Sequence, residues 1–388
     1  ISIPGSSTVN FEKITKKKIF DSINRVNLSI KKDLIEDYRN LKYKLGKIPK
    51  LSDFIENKLR SPFLYIKRFG SYCNFLEEVE ADINYNINST QRAILEFYSR
   101  YVLNGARVEE AIILKKILKE KILSFGDLKN QIKENYNYNL EEETFLSAIH
   151  NLNLNYMTDS KEKTLRLSEK FNLSLINFTN NNVSLSSSFS ELLKNKNFLF
   201  FLEDIINCSI TSFEDDLSKS QYLNGFVLYK KYSRVDALRI LNWDKRQVDQ
   251  NVGGYIPRHD GLKFPIFVTY NKSDDIDDSI KYEDRFIDKD TFYWWSKNRR
   301  SFESPDIRLL REKLLIKDKK IIKENIDTEI PLFIKKSDDE DIEHYFMGNL
   351  IPREFQQTIK NEQSIVTVEY DVKPSVEENL YNYLHENI

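Results

Sequence analysis

Glycine is scarce in this chain, ten in 388 residues, about a third of ordinary usage. That scarcity argues against glycine-lined cofactor folds and favours helices joined by polar turns. No GxxxxGK[ST] loop occurs, so ATP is not held by that device, and no GxSxG nucleophile elbow is present. Only four histidines occur, at 150, 259, 344 and 385, and none belongs to an HExxH or a Cys/His cluster. A zinc or metalloprotease site is therefore not expected. The two cysteines, Cys73 and Cys208, lie far apart and form no CxxC. We read them as free, buried thiols of a reducing compartment, and expect a cytoplasmic protein. No apolar run is long enough for a membrane helix and no secretory signal is evident, so no membrane partner is expected. The chain opens without Met on "ISIPGSS", which reads as a linker into a piece of a larger protein.

Length suggests two domains or three. Hydrophobic residues make up 40% and charged residues 31%, enough for a core beneath a strongly charged surface. Net charge is only −1, so a generally basic nucleic-acid binder is not indicated. The charges are nevertheless sorted: residues 274–290 hold eight acids and three bases, while 297–323 hold ten bases and four acids. Such sorting can give a neutral domain one positive face, although two solvated loops of opposite sign fit the charge equally well.

From Phe11 to about Leu217 the apolar spacing is helical, as in "TQRAILEFYSRYVL" and "VEEAIILKKILKEKIL". "YRNLKYKLGKIPKLSDFI" predicts a helix, a turn at Gly46 to Pro49, and a second helix capped by Ser52 or Asp53. The Asn/Ser stretch "INFTNNNVSLSSSF" (176–189) reads as a loop. Beyond Leu217 comes one more helix, "YSRVDALRILNW", and "DKRQVDQNVGGY" after it could complete a helix-turn-helix, though helical hairpins that touch no DNA are commoner. Short β-type runs follow at 264–270, 280–287, 291–297, 330–336, 343–350 and 364–370, and "PSVEENLYNYLH" closes the chain as a helix. The expectation is α+β: an all-helical coupler domain over 1–215, then a small, mostly antiparallel β-barrel over 216–388.

The stretch "DTFYWWSKNRRSF" (290–302) carries the most chemistry. As a strand it places Phe292, Trp294, Ser296 and Asn298 on one face and Thr291, Tyr293, Trp295 and Lys297 on the other. A core explains one aromatic face, but not the basic run directly behind the second. Aromatic planes stack on unpaired bases, amides and hydroxyls read base edges, and arginines hold phosphates. Lys297, Arg299, Arg300 and Arg308 are the expected phosphate contacts. A cytosine amine needs a carboxylate acceptor, and Asp284 in "KYEDRF" is the best-placed one, although a turn aspartate is its bland alternative.

The motifs "FVTYNK", "DDSIKYEDRF", "FYWWSKN", "HYFMGN" and "VKPSVEENLYNYL" resemble the C-terminal region that follows superfamily-2 helicase modules in bacterial defence proteins. The kind it most resembles is the type IV restriction enzyme that attacks methylated cytosine, in which a phospholipase D-like nuclease and a helicase precede a coupling region and a modified-base reader. "NLKYKLGKIPKLSDF" is similar to the start of that coupling region. The resemblance implies an SRA/PUA-like reader that flips 5-methylcytosine out of duplex DNA. Its aromatic-x-Trp-x-Ser-x-Asn pattern falls on Phe292, Trp294, Ser296 and Asn298, and its Tyr-x-Asp on Tyr282 and Asp284, with Tyr270 and Trp295 completing the expected pocket. The chain departs at Tyr293, Trp295 and Lys297, where the pattern expects His and Gln. No catalysis and no cofactor are then expected here: ATP and Mg belong with helicase and nuclease parts of the same polypeptide, and methylated double-stranded DNA is the partner. Two other readings stay open. One is a protein-interaction scaffold docking a helicase to a partner, with Trp294 and Trp295 as interface anchors. The other is a metal-dependent nuclease built on Asp306, Asp318 and Lys320, although "LLREKLLIKDKK" reads as an amphipathic helix.

Overall fold

A computed structural model describes residues 16–80, 85–103, 107–154, 174–243, 247, 254–270, 284–337, 342–360 and 362–386, with side chains from residue 30 onward. The described residues are mixed α+β. The two halves are built differently.

In the first half the helix Lys196–Leu217 is central. Phe198, Phe201, Leu202, Ile205, Ile206 and Cys208 along it are all buried. It packs against Val108–Glu120 and Leu51–Glu56, in one core running from Leu34 to Phe213 and taking in Val227. Both cysteines are free and buried there. Burial, with Glu77 alongside, pushes the Cys73 thiol up to about 12. The turn after Lys16–Leu45 falls at Gly46, whose φ of +64° suits glycine. The next helix departs from expectation, because its N-cap is Lys50 and Asp53 acts from the third position, accepting from the Lys50 N–H at 2.6 Å. Asp204 on the central helix takes the following amide, Leu51 N, at 3.0 Å.

This half is not all-helical. Residues 176–185, expected as a loop, form the hairpin Ile176–Thr179 and Asn182–Leu185, and Ile122–Ser124 adds a third strand. Asn180 and Asn181 both adopt positive φ, 50° and 62°. Asparagine tolerates that region, and two such residues in a row make the hairpin turn whose twist matches its strands. The Asn run that suggested a loop is the turn itself.

The second half holds a seven-stranded sheet curled into a half-barrel rather than a closed barrel. We number its strands β1 (Lys231–Tyr232), β2 (Ile266–Thr269), β3 (Arg285–Asp288), β4 (Thr291–Trp295), β5 (Pro331–Lys335), β6 (His344–Lys360) and β7 (Gln363–Lys373). The order is β2-β5-β6-β7-β4-β3, with β1 on β6; β2 and β5 run parallel and the other pairs antiparallel. Register shifts interrupt β6 and β7 between Pro352 and Glu354, and such bulges bend a strand and raise its twist. Gly348 sits where a Cβ would lie 2.3 Å from the Lys373 carbonyl oxygen, so only glycine lets β6 approach β7 there. The inner face carries Ile266, Val268, Phe292, Trp294, Leu332, Ile334, Met347, Val366, Val368 and Tyr370, closed over by Leu384 of the last helix, Glu378–His385. Among the described residues no helix is long and apolar enough to cross a membrane.

Buried charge joins the halves. Arg239, on the helix Arg234–Ile240, grips both Glu110 oxygens at 2.7 and 2.8 Å and donates to the Tyr101 carbonyl at 2.6 Å. Arg107 donates to Ser147 Oγ, to Asn242 Oδ1 and to the Arg239 carbonyl. Further along, Arg258 pairs with Glu143. The second limb of the expected helix-turn-helix lies largely outside the described residues.

Candidate nucleic-acid interface

β4 lies between β3 and β7, with Phe292 opposite Phe286 and Tyr370, and Trp294 opposite Val368. Its inward face is the core. Phe292 is 0% exposed and Trp294 1%. The Trp294 ring meets Tyr255 edge-on at 5.1 Å, Tyr370 at 6.2 Å and Phe264 at 6.4 Å. No base can stack on a ring enclosed in this way, and no partner protein can use it as an anchor. Phe292 and Trp294 are packing residues in this fold, which corrects the face assigned to the ligand.

The polar members of the expected pocket serve the sheet as well. The strand ends at Trp295, and Ser296 continues its ladder by another route. Its N–H donates to the Val366 carbonyl at 2.8 Å, and its Oγ accepts from the Val366 N–H at 2.9 Å. A buried hydroxyl thus satisfies a backbone donor that would otherwise be orphaned. Asp284 does the same on the other side, its Oδ1 accepting from the Trp295 N–H at 2.9 Å. Tyr270 ties the sheet to the last helix: its hydroxyl accepts from the Phe286 N–H at 3.2 Å and lies 2.7 Å from His385 Nε2. Asn298 is half-buried in the turn that follows β4, and Tyr282 lies outside the described residues.

The expected phosphate contacts divide. Lys297 turns under the sheet, its Nζ donating to the Tyr255 carbonyl at 3.0 Å and sitting 4.3 Å from that ring's centre. Burial, with Arg300 close by, lowers its pKa. Arg300 Nε donates to Asp306 Oδ2 at 2.6 Å, and the Tyr255 hydroxyl donates to the same oxygen at 2.6 Å. Arg308 pairs with Glu312 one turn along the helix Pro305–Glu312, and Arg311 lies 4.8 Å over the Phe302 ring. Arg299 is exposed, held out on a turn at φ 61°. So Lys297, Arg300 and Asp306 meet at Tyr255, a residue that nothing in the sequence singled out.

That arrangement also bears on the nuclease reading. Asp306 is engaged by a tyrosine and an arginine at a helix N-terminus. Asp318 and Lys320 lie beyond the helix on a β-hairpin, Leu315–Lys317 with Lys320–Lys323, where one long amphipathic helix was expected. Lys313 at the helix C-cap takes positive φ and ends it. Among the described residues no group of three or more His, Cys, Asp or Glu could hold a metal ion.

The outward face of β4 offers what the inward face does not. Tyr293 and Trp295 are half-buried, their ring centres 6.2 Å apart and nearly perpendicular. Arg285 lies 5.4 Å over Tyr293, and Lys360, near the tip of β6, lies 4.7 Å over Trp295. The buried Trp295 Nε1 has no hydrogen-bond partner among the described residues. Two aromatic edges with a cation on each ring, a few residues from Arg299, form a surface that can accept a flat, anionic group.

Residues 34–215 match a family described as a domain of unknown function (DUF8090). Residues 226–384 match a second, also described as a domain of unknown function (DUF3427), which is commonly found with helicase-associated proteins. No curated protein matches the chain.

Proposed function

We propose that this chain is the target-recognition module of a helicase–nuclease restriction enzyme: a helical coupler over 1–215 carrying an SRA/PUA-like reader of 5-methylcytosine over 216–388. The observation that carries the DNA part is the cation-flanked pair Tyr293 and Trp295 close in sequence to the exposed Arg299. Bases stack on such rings irrespective of sequence, and the flanking cations favour the phosphates that come with them. The curled, mostly antiparallel half-barrel is compatible with a reader of that type. The choice of 5-methylcytosine rests on the resemblance of "DDSIKYEDRF" and "FYWWSKN". A flipped base would meet the Trp295 face rather than Trp294, with flipping costing a few kcal/mol that stacking must offset. Catalysis, ATP and Mg belong in this reading to helicase and nuclease parts elsewhere in the polypeptide.

A titration of the whole chain against one duplex, methylated or unmethylated, tests both parts. A methyl group adds only a small apolar contact, so the expected preference is on the order of 10- to 200-fold. Equal affinity for the two duplexes would remove the methyl-reading part, and no duplex binding at all would remove the DNA reading. The scaffold alternative draws on a different feature, a cleft of about 1050 Å³ at the seam of the halves, lined by Leu59, Phe63, Leu103, Lys230 and Tyr232. A chain that binds no duplex yet holds a helicase through that cleft would favour it.

A further inference from the structure

We infer that the hairpin Leu315–Lys323 is a duplex-binding ribbon, a second nucleic-acid contact separate from the β4 surface; the inference rests on the DNA reading above. The hairpin breaks two rules at its tip. Lys317 stands directly opposite Lys320, and like charges facing across a ladder repel. Lys319 takes a positive φ of 62° at the second turn position, where such a turn ordinarily places Gly, while Asp318 at 50° is the residue type that favours the first. Lys317, Lys319, Lys320 and Lys323 face a single acid within the hairpin, and none has a carboxylate partner among the described residues. Local rules broken together at an exposed site, without a compensating contact in the fold, point to a ligand that supplies one.

The root of the hairpin is fixed and the tip is open. Ile316 N donates to the Asp260 carbonyl at 2.9 Å, Ile326 N to the Lys313 carbonyl at 3.0 Å, and a Cβ at Gly261 would lie 2.0 Å from the Leu314 carbonyl oxygen. From Lys317 to Asn325 every residue is exposed, including Ile321 at 49% and Ile322 at 59%. Beside the tip a cleft of about 510 Å³ runs along His259, Asp260 and Ile322. A two-stranded ribbon is one of the two protein elements that a B-form major groove, about 12 Å wide, admits. In that groove the lysines meet phosphates on either side and the isoleucines meet base edges and thymine methyls. The ribbon also continues a basic path. It follows directly from the helix Pro305–Glu312, whose Arg308 and Arg311 are paired with Glu312 and which at eight residues spans about 12 Å, with the exposed Arg299 on its N-terminal side and the lysines on its C-terminal side. That continuity favours a duplex over an anionic membrane, which the same lysines and isoleucines could otherwise touch.

The test uses the whole chain and a labelled duplex of about 20 base pairs, with affinity measured across a salt series. Each phosphate contact contributes about 0.9 to the logarithmic salt slope. Lys317→Ala with Lys320→Ala should weaken binding at every salt and reduce the slope by about 1.8. The melting temperature should hold or rise, because a repelling pair is removed from an exposed hairpin. Lys317→Gln with Lys320→Gln should behave alike, which separates lost charge from lost side-chain length. If the unmodified chain binds duplex and both double variants keep its affinity and slope, the ribbon assignment fails while the DNA reading stands. If the unmodified chain binds no duplex, the DNA reading fails and the ribbon with it. Tighter binding to a single strand of equal length, or to anionic vesicles but not to duplex, would also overturn the groove assignment.

Discussion

Neighbouring tryptophans should respond oppositely to the same substitution. Trp294 is 1% exposed and packed against Tyr255, Phe264 and Tyr370, so Trp294→Ala should cost about 3–5 kcal/mol. At roughly 2–4 °C per kcal/mol for a domain of this size, the transition of the second half should fall by about 6–20 °C. Trp295 is half-buried on the other face with Lys360 above it, so Trp295→Ala should cost about 1 kcal/mol of stability. If a base stacks there, that change should cost about 1–3 kcal/mol of binding, which is about 5- to 150-fold in affinity. Thermal unfolding and duplex titration on the two variants give the comparison, and Trp294→Phe keeps a folded protein in the series should the alanine unfold. The expected pattern is a Trp294 series that loses melting temperature, and affinity only in proportion to unfolded chain. Trp295→Ala should lose affinity while remaining folded. A folded Trp294→Ala with an unchanged melting temperature and abolished binding would refute the core assignment. A Trp295→Ala that binds like the parent would refute the stacking surface.

Asp204 supplies a pH test, since burial raises its pKa to about 7 despite the Leu51 amide. Its folded pKa exceeds the unfolded value near 4, so the folded state holds the extra proton between them, and stability should fall as pH rises from about 4 to 7, by up to roughly 4 kcal/mol. Glu109, also raised by burial, adds in the same direction. Urea unfolding at pH 5 and pH 8 should show the fall, and Asp204→Asn should remove most of the difference; a flat profile in the parent would contradict the buried carboxylate. At the seam, Arg239→Met should cost about 3–5 kcal/mol by removing the bidentate partner of the buried Glu110, while adding Glu110→Leu should recover part of that. Equal losses in the single and double variants would deny that the two groups act as a pair.

Elements with a strong period were legible, and sites that depend on which face is buried were not. The helices from 89 to 120 and the strand runs at 264–270 and 330–336 follow from apolar spacing alone. Phe292 and Trp294 were readable as one face of a strand, yet alternation cannot say whether that face meets core or solvent when both are aromatic. The deciding residues were Tyr255, Phe264 and Tyr370, far from β4 in sequence, Tyr370 brought to it by the pairing with β7 and the other two by packing in the same core. Ser296 and Asp284 take part in the sheet in a way the sequence could not show. A hydroxyl or carboxylate that completes a backbone ladder has the same residue type as one that reads a base edge, and only the position of Val366 N–H and Trp295 N–H separates them. The basic run failed differently: its charge was visible, but not which acids would claim it. Asp306 takes Arg300 and Glu312 takes Arg308, leaving Arg299 and the hairpin lysines as the unclaimed part.

The seam decides how a coupler could act. The first core ends at Val227, with Tyr222 and Val235 packed against it, while Phe226, Leu228 and Tyr232 belong to the cluster beneath β5 and β6. A short stretch of chain is therefore divided residue by residue between the two halves. Across the same seam the bonds are directional: Arg239 with Glu110, Arg107 with Asn242, Arg258 with Glu143, and the Tyr222 hydroxyl with Glu109. An apolar contact tolerates a small slide, because its energy follows area. A buried guanidinium held by two carboxylate oxygens and a carbonyl does not, because any slide leaves a charge unsatisfied in low dielectric. Under the function proposed above, displacement of the second half by bound DNA would reach Glu109 and Glu110 at the start of Val108–Glu120, and through that helix the central helix Lys196–Leu217.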